Sequence, residues 1–283
     1  MTPTLREATP ADALSCGTIC FEAFRDIAQQ HRFKPDYPSA QVATDILAPL
    51  IEDERYFTLV AEIDGYILGS IVLDMRDEVV GLGPVTVDVN MQNTGVGKQL
   101  LTAALDHVQD RPVRLVQAAY HNRTMAFYTR HGFEVKEMLL AIQGSTKNPS
   151  EEGYSVLPGQ HSHTEAVTAL CSEALGISRA QQWSDAVKTG QAKIIQDQDG
   201  ALLGFTTELG YSGFSLTQSL ATLRTLICSA DVLSGQGILL PARYHSLLNW
   251  ALEQGLRISQ PMALMTRGPY SSPTLPYLPS VMY

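Results

Sequence analysis

Val85-Thr-Val-Asp-Val-Asn-Met-Gln-Asn-Thr-Gly-Val-Gly-Lys-Gln-Leu-Leu101 reads as a strand, a tight loop and a helix in succession. Val85, Val87 and Val89 alternate with Thr86, Asp88 and Asn90, the period-2 pattern of a half-buried strand. Leu101, Ala104, Leu105 and Val108 then recur at i, i+3, i+4 and i+7, the apolar stripe of a helix. Between them Gly95 and Gly97 let the backbone turn sharply and bring its N–H groups close to a ligand. A helix start adds unpaired N–H groups and the positive end of the dipole, so the junction can hold a phosphate. A Walker A loop is excluded, because Gln92 stands where its first glycine belongs and Gln99 where its Ser or Thr belongs. A dinucleotide fingerprint starting at Gly95 is excluded by Leu100 in place of its third glycine. What remains is Q-x-x-G-x-G, and a glycine turn that merely joins strand to helix stays open beside a phosphate cradle.

A second stretch decides between them. His121-Asn-Arg-Thr-Met-Ala-Phe-Tyr-Thr-Arg-His-Gly-Phe133 reads as a short helix with Asn122 as N-cap and Gly132 as its stop. An apolar run from Val113 to Ala119 precedes it, and Phe133-Glu-Val follows it. The Q-x-x-G-x-G loop and this N-x-x-x-A-F-Y-x-x-x-G-F helix together resemble the GNAT N-acetyltransferase superfamily. The resemblance covers roughly residues 3–142. It implies an α/β fold in which a mixed central β-sheet is flanked by helices, and acetyl-CoA as cosubstrate.

The 283 residues are too many for a typical single core and fit two domains. No apolar run approaches the ~20 residues of a membrane span, and the start, Met1-Thr-Pro-Thr-Leu-Arg-Glu, lacks a basic region followed by an apolar core, so no signal peptide is expected. Four cysteines, Cys16, Cys20, Cys171 and Cys228, form no C-x-x-C pair. Buried free thiols, and hence a cytoplasmic setting, are expected rather than a metal site. A formal charge of −9 argues against nucleic acid and suits a cationic amine. Neither membrane nor nucleic acid is expected as a partner.

In chain order the first half reads β, α, α, β, β, β, α, β, α, β. Leu5-Arg-Glu-Ala is the first strand, Thr9-Pro10-Ala-Asp12 opens a helix running through Phe24, and a second helix spans about 40–51. The irregular stretch between them, with His31, Phe33, Pro35 and Tyr37, has two open readings: a wall of the acceptor site, as the resemblance implies, or a surface connection. Asp64-Gly65 between two β-rich runs signals a two-residue hairpin. Residues 143–153 have linker composition.

The second half echoes the first. Cys20-Phe-Glu-Ala-Phe24 answers to Cys171-Ser-Glu-Ala-Leu175, Asp64-Gly-Tyr-Ile-Leu-Gly69 to Asp199-Gly-Ala-Leu-Leu-Gly204, and His131-Gly-Phe133 to Gln254-Gly-Leu256. The expected organisation is a catalytic domain at 1–142, a linker at 143–153 and a degenerate copy at 154–283. That copy ends in a Pro- and Tyr-rich arm from Pro269, expected to be ordered and packed. Its Gly213–Arg224 stretch holds no G-x-G, and Ala251 stands at the Tyr128 position.

The resemblance assigns roles residue by residue. Gln92, Asn93, Thr94, Gly95, Val96, Gly97 and Lys98 would cradle the coenzyme A pyrophosphate. Val87, Asp88 and Val89 would offer backbone groups to the pantetheine arm and thioester. Asn122 would contact the pantetheine or a water, and Tyr128 would be the general acid, since a phenol near pKa 10 can protonate a thiolate while neutral at pH 7. A core tyrosine beside Phe127 is the plainer role for Tyr128. For the base, Asp88, Glu22, His31, His121 and a water chain all stay open. The activity so implied is acetyl transfer to a primary amine of a small molecule or peptide; the alternative is a non-catalytic acyl-CoA sensor.

Overall fold

The structure, a computed structural model, describes residues 3–146 and 153–283. The chain folds as two compact units, Met1–Val113 and Arg114–Tyr283.

The first unit opens with β1 (Thr4–Glu7) and a 3₁₀ turn, Pro10–Asp12. Then follow α1 (Ala13–Gln30), α2 (Ala40–Glu52), β2 (Tyr56–Ile63), β3 (Tyr66–Asp74), β4 (Val80–Val87) and α3 (Val96–Val108). The chain enters α1 through a capping box. Asp12 accepts from the N–H and hydroxyl of Thr9 at 2.8 and 2.9 Å, and Arg6 binds its other oxygen at 2.8 Å. Ser39 caps α2, accepting from the Val42 N–H at 3.3 Å. The hairpin turns on Asp64 and Gly65, both at positive φ (52° and 82°), as a type I′ turn requires. Helix α1 runs six residues beyond the expected Phe24 and absorbs the start of the irregular stretch.

The strands follow the order β1-β2-β3-β4, antiparallel throughout. Helices cover both faces of this sheet. On one, Ser70 and Thr86 lie 3.3 Å apart and Ser70 bonds Cys16 of α1. On the other, Phe57 stacks on His107 of α3 at 3.5 Å. The alternation read for β4 is corrected accordingly. Thr86 is buried, Val85 and Val87 are half-buried, and Val89 lies past the strand's end, exposed. A strand clothed on both sides has no water-facing side for the polar residues to mark. Helix α3 buries Val96, Leu100, Leu101, Ala104 and Val108, each large apolar side chain adding about 1.5–3 kcal/mol.

The second unit begins with β5 (Val113–Ala118), α4 (Asn122–Arg130) and β6 (Glu134–Gly144). Next come β7 (Ser155–Pro158), α5 (Thr164–Leu175), α6 (Ala180–Lys188), β8 (Lys193–Gln196), β9 (Leu202–Thr206) and β10 (Ser215–Thr217). Helix α7 (Leu220–Cys228), β11 (Leu233–Pro241), α8 (His245–Glu253), β12 (Arg257–Arg267) and β13 (Tyr277–Leu278) complete it. Its strands form two sets, β5-β12-β6-β11 and β13-β10-β9-β8-β7.

The element sequence of the first copy recurs from β7 onward, and its last part does so to the residue. Helix α4 begins at Asn122 and α8 at His245, β6 at Glu134 and β12 at Arg257, each displaced by 123 positions. Strand β6 pairs antiparallel with β12, Leu140 opposite Pro261 and Met138 opposite Ala263. Adding 123 to Leu140 and Met138 gives Ala263 and Pro261, so the displacement exchanges these two pairs and the ladder is an internal two-fold. Gly69 of β3 and Gly204 of β9 mark a further equivalence. A Cβ on either would strike the next strand's backbone oxygen, at 2.5 Å from Thr86 and 2.6 Å from Leu216.

The division of compact units departs from the expected boundary at 142/143. Strand β6, the last of the first copy, lies between β12 and β11 and so clusters with the second. Of the expected linker, Gln143 and Gly144 belong to β6, and residues 147–152 lie outside the described residues. The arm is ordered, its Tyr277 and Leu278 being 1% and 2% exposed.

Candidate active site

In the first unit β4 ends at Val87 and α3 starts at Val96, leaving eight residues, Asp88 to Gly95, to make the connection. Asp88 opens it. Its N–H bonds the Leu68 carbonyl at 2.8 Å, its carboxylate accepts from the Asn90 N–H at 2.8 Å, and its carbonyl accepts from the Met91 N–H at 2.8 Å. The carboxylate is thereby committed to the turn. The Gln92 amide reaches back to the Val87 carbonyl at 3.5 Å, and the Thr94 hydroxyl bonds the Met91 carbonyl at 2.6 Å. Asn93 and Gly95 both take positive φ (65° and 100°). Asn tolerates that region and glycine enters it without penalty.

Gly95 is the N-cap of α3, and no side chain caps the helix. The N–H groups of Val96, Gly97 and Lys98 form its first turn, where an α-helix leaves its donors without intrahelical partners. The Val96 side chain is buried and anchors that turn, while Lys98 is exposed. A Cβ on Gly97 would lie 3.5 Å from Val87, so the helix start is seated close on the strand end. A Cβ on Gly95 would meet nothing within 4 Å. These residues fit a diphosphate: donors aimed one way, open space above them and a cation at the rim.

Along the outer side of α3 runs an open cavity of about 520 Å³ lined by Leu5, Gly95, Lys98, Gln99, Thr102, Ala103 and Asp106. Gln99 and Thr102 escaped the sequence reading. The signal was present as the polar face opposite the Leu101-Ala104-Leu105-Val108 stripe.

Helix α4 belongs to the second unit. The structure moves its N-cap to His121, with no side-chain cap, and makes Asn122 the first helical residue, exposed. The expected capping role of Asn122 is corrected. The Thr124 hydroxyl, which donates to Gln117 at 2.7 Å and approaches the His121 carbonyl at 3.0 Å, ties down this first turn instead. Tyr128 is 8% exposed, its ring 5.4 Å from Phe127 and 5.7 Å from Phe133. Burial raises its phenol well above the ordinary value, so it keeps its proton at every physiological pH. Gly132 stops the helix at φ 83°, as read. The candidate bases lie on three segments: half-buried Glu22 on α1 with exposed His31 at its C-cap, Asp88 in the turn after β4, and His121 before α4.

A family model described as the acetyltransferase (GNAT) family matches residues 21–133, which contain the loop, α3 and α4. This stretch is a GNAT acetyltransferase domain. Acyl-CoA-dependent acetyl transfer is the reaction of that family, and acetyl-CoA is the cosubstrate. No curated protein sequence is significantly similar to the chain. Among solved structures, a provisionally assigned acetyltransferase from Pyrococcus horikoshii is similar at TM-score 0.73 and 14% identity, over 95% of this chain and 90% of that one. A GNAT protein from Sphaerobacter thermophilus is similar at TM-score 0.61 and 16% identity, over 95% and 97%. A tandem GNAT protein from the clavulanic acid biosynthesis pathway is similar at TM-score 0.58 and 13% identity, over 95% and 100%. At such identities the likeness is one of fold, and it extends over nearly the whole chain.

Proposed function

We propose that the chain transfers the acetyl group of acetyl-CoA to a primary amine of a small molecule or peptide, with catalysis assigned to residues 1–142. The observation that carries this reading is the uncapped start of α3 behind a loop whose turn depends on Gly95. Acetyl-CoA supplies an acyl group activated as a thioester. The N–H groups of Val96, Gly97 and Lys98 hold the diphosphate, aided by the Lys98 ammonium and by Gln92, Asn93 and Thr94 at the rim. The backbone of Val87, Asp88 and Val89 aligns the extended arm. Asn122, exposed on the first turn of α4, orients the arm or a water. Tyr128 holds a proton at its Oη for the leaving thiolate, and its raised pKa supports that role by keeping the phenol neutral. The acidic chain, at −9, favours cationic acceptors over nucleic acid. No helix among the described residues is long and apolar enough to cross a membrane. All four cysteines are free, three of them buried, which suits a reducing cytoplasm.

The test is a panel of primary amines assayed by thiol release from acetyl-CoA. Turnover with at least one amine, abolished when the amine is replaced by its alcohol analogue, is expected. Release that is the same with and without any amine would contradict amine acetylation.

A further inference from the structure

The second unit's strand β10 has its inner edge on β9, and its outer edge is taken by the arm. Ser215 pairs with Leu278 and Leu216 with Tyr277, antiparallel, and the Thr217 N–H bonds the Pro276 carbonyl at 2.9 Å. The far side of β13 packs on β11, so these residues stand between β10 and β11. Successive strand residues point to opposite faces, and here each finds a core. Tyr277 enters the cluster of Trp183, Phe205, Phe214 and Leu216; Leu278 enters that of Leu223, Leu240 and Leu247. Further along, the Val281 N–H bonds the Tyr211 carbonyl at 2.8 Å and the Ser280 hydroxyl bonds the Ser212 carbonyl at 2.8 Å. The Tyr283 ring stacks 4.2 Å from the Arg114 guanidinium and 4.3 Å from that of Arg179. Upstream, Ser271 and Ser272 are exposed, so the arm reaches this place across the surface.

We propose that the gap between β10 and β11 is a slot for an extended peptide, filled in cis by Pro276–Leu278 as an internal ligand. The class of ligand follows from the contacts. One edge offers a main-chain ladder, and the two faces offer one aromatic and one aliphatic pocket for consecutive side chains, the pattern of recognition by strand addition. Nothing at this slot suits a diphosphate, because α7 begins two residues after β10 and is capped by its own Ser219. The arm therefore keeps the slot shut to partners until it is displaced.

The test leaves the fold to form first. A protease site inserted between Ser271 and Ser272 is cut in the purified full-length protein. The nicked protein is then incubated with a labelled synthetic peptide of residues 272–283. The labelled peptide should exchange into the nicked protein and not into the uncut one. The same peptide with Leu278→Glu should compete at least ~100-fold more weakly, since it would bury an unpaired carboxylate. Equal competition by the Leu278→Glu peptide, or loss of the cut arm with tryptophan emission unchanged, would overturn the slot.

Discussion

Two strand-to-helix junctions, one in each copy, differ in loop length and in how the helix start is capped. Eight residues join β4 to α3, and two, Gln218 and Ser219, join β10 to α7. At α3 the N-cap is a glycine at φ 100° with no side chain to offer. At α7 the Ser219 hydroxyl accepts the Thr222 N–H at 3.1 Å, and the Thr222 hydroxyl accepts the Ser219 N–H at 3.1 Å. A capping box satisfies donors internally and stabilises its helix by roughly 1 kcal/mol. The first copy forgoes that gain, which supports the diphosphate site proposed at α3.

The largest effect is expected at Tyr128, the proposed proton donor. Tyr128→Phe should keep acetyl-CoA binding and lower the single-turnover rate about 10²–10⁴-fold. Rapid-quench measurements check this, and equal rates for Tyr128→Phe and wild type would make Tyr128 a packing residue.

Next comes the cradle. Gly97→Ala adds a Cβ at ordinary contact distance from Val87 and should fold normally, while Gly97→Val adds branched bulk where the helix start is seated on the strand end. Calorimetry should show acetyl-CoA binding weakened about 10-fold or more by valine, a loss of ~1.4 kcal/mol. Affinity untouched by valine would move the diphosphate elsewhere.

A smaller effect separates the junctions by stability. Ser219→Ala should cost about 0.5–2 kcal/mol in urea unfolding and create no second binding site. Gain of a site on removing this one hydroxyl would mean that the cap, and not loop length, had closed the second copy.

The smallest effect concerns the entries to α1 and α5. The hydrogen bonds from Arg6 hold the Asp12 carboxyl well below the usual carboxylate range. A depressed folded pKa gives stability that is present above the unfolded value, about 3.9, and lost as pH falls below it. The matching box before α5 uses Gln160 and His163 and contains no carboxylate. Asp12→Asn should therefore lower stability at neutral pH by about 1 kcal/mol and flatten its decline below pH 4. An acid limb identical to wild type would show that Asp12 does not report on this entry.

Much of this was legible because local chemistry is local. Asp64-Gly65 announced its hairpin, Gly132 its helix stop, and Leu101, Ala104 and Val108 the buried face of α3, to which the structure adds Val96 and Leu100 while Leu105 is half-buried. The paired Gly69 and Gly204 betrayed the duplication, since each sits where a neighbouring strand leaves no room for a Cβ. Partners distant in sequence were not legible. Nothing in Glu134–Gly144 states that its ladder partner is Arg257–Arg267, over 100 residues away, and so the boundary was read at the end of β6. The same holds for Tyr277 and Leu278, recognisable as apolar but not as the filling between β10 and β11. The alternation in β4 misled because both its faces carry helices.

The account rests on one copy having kept its open donors and the other having closed them. Binding stoichiometry tests that directly. Titration of the full-length protein with acetyl-CoA should give one site per chain, weakened in Gly97→Val and unaffected by Ser219→Ala. Two sites per chain, or one that survives removal of residues 92–98, would contradict it.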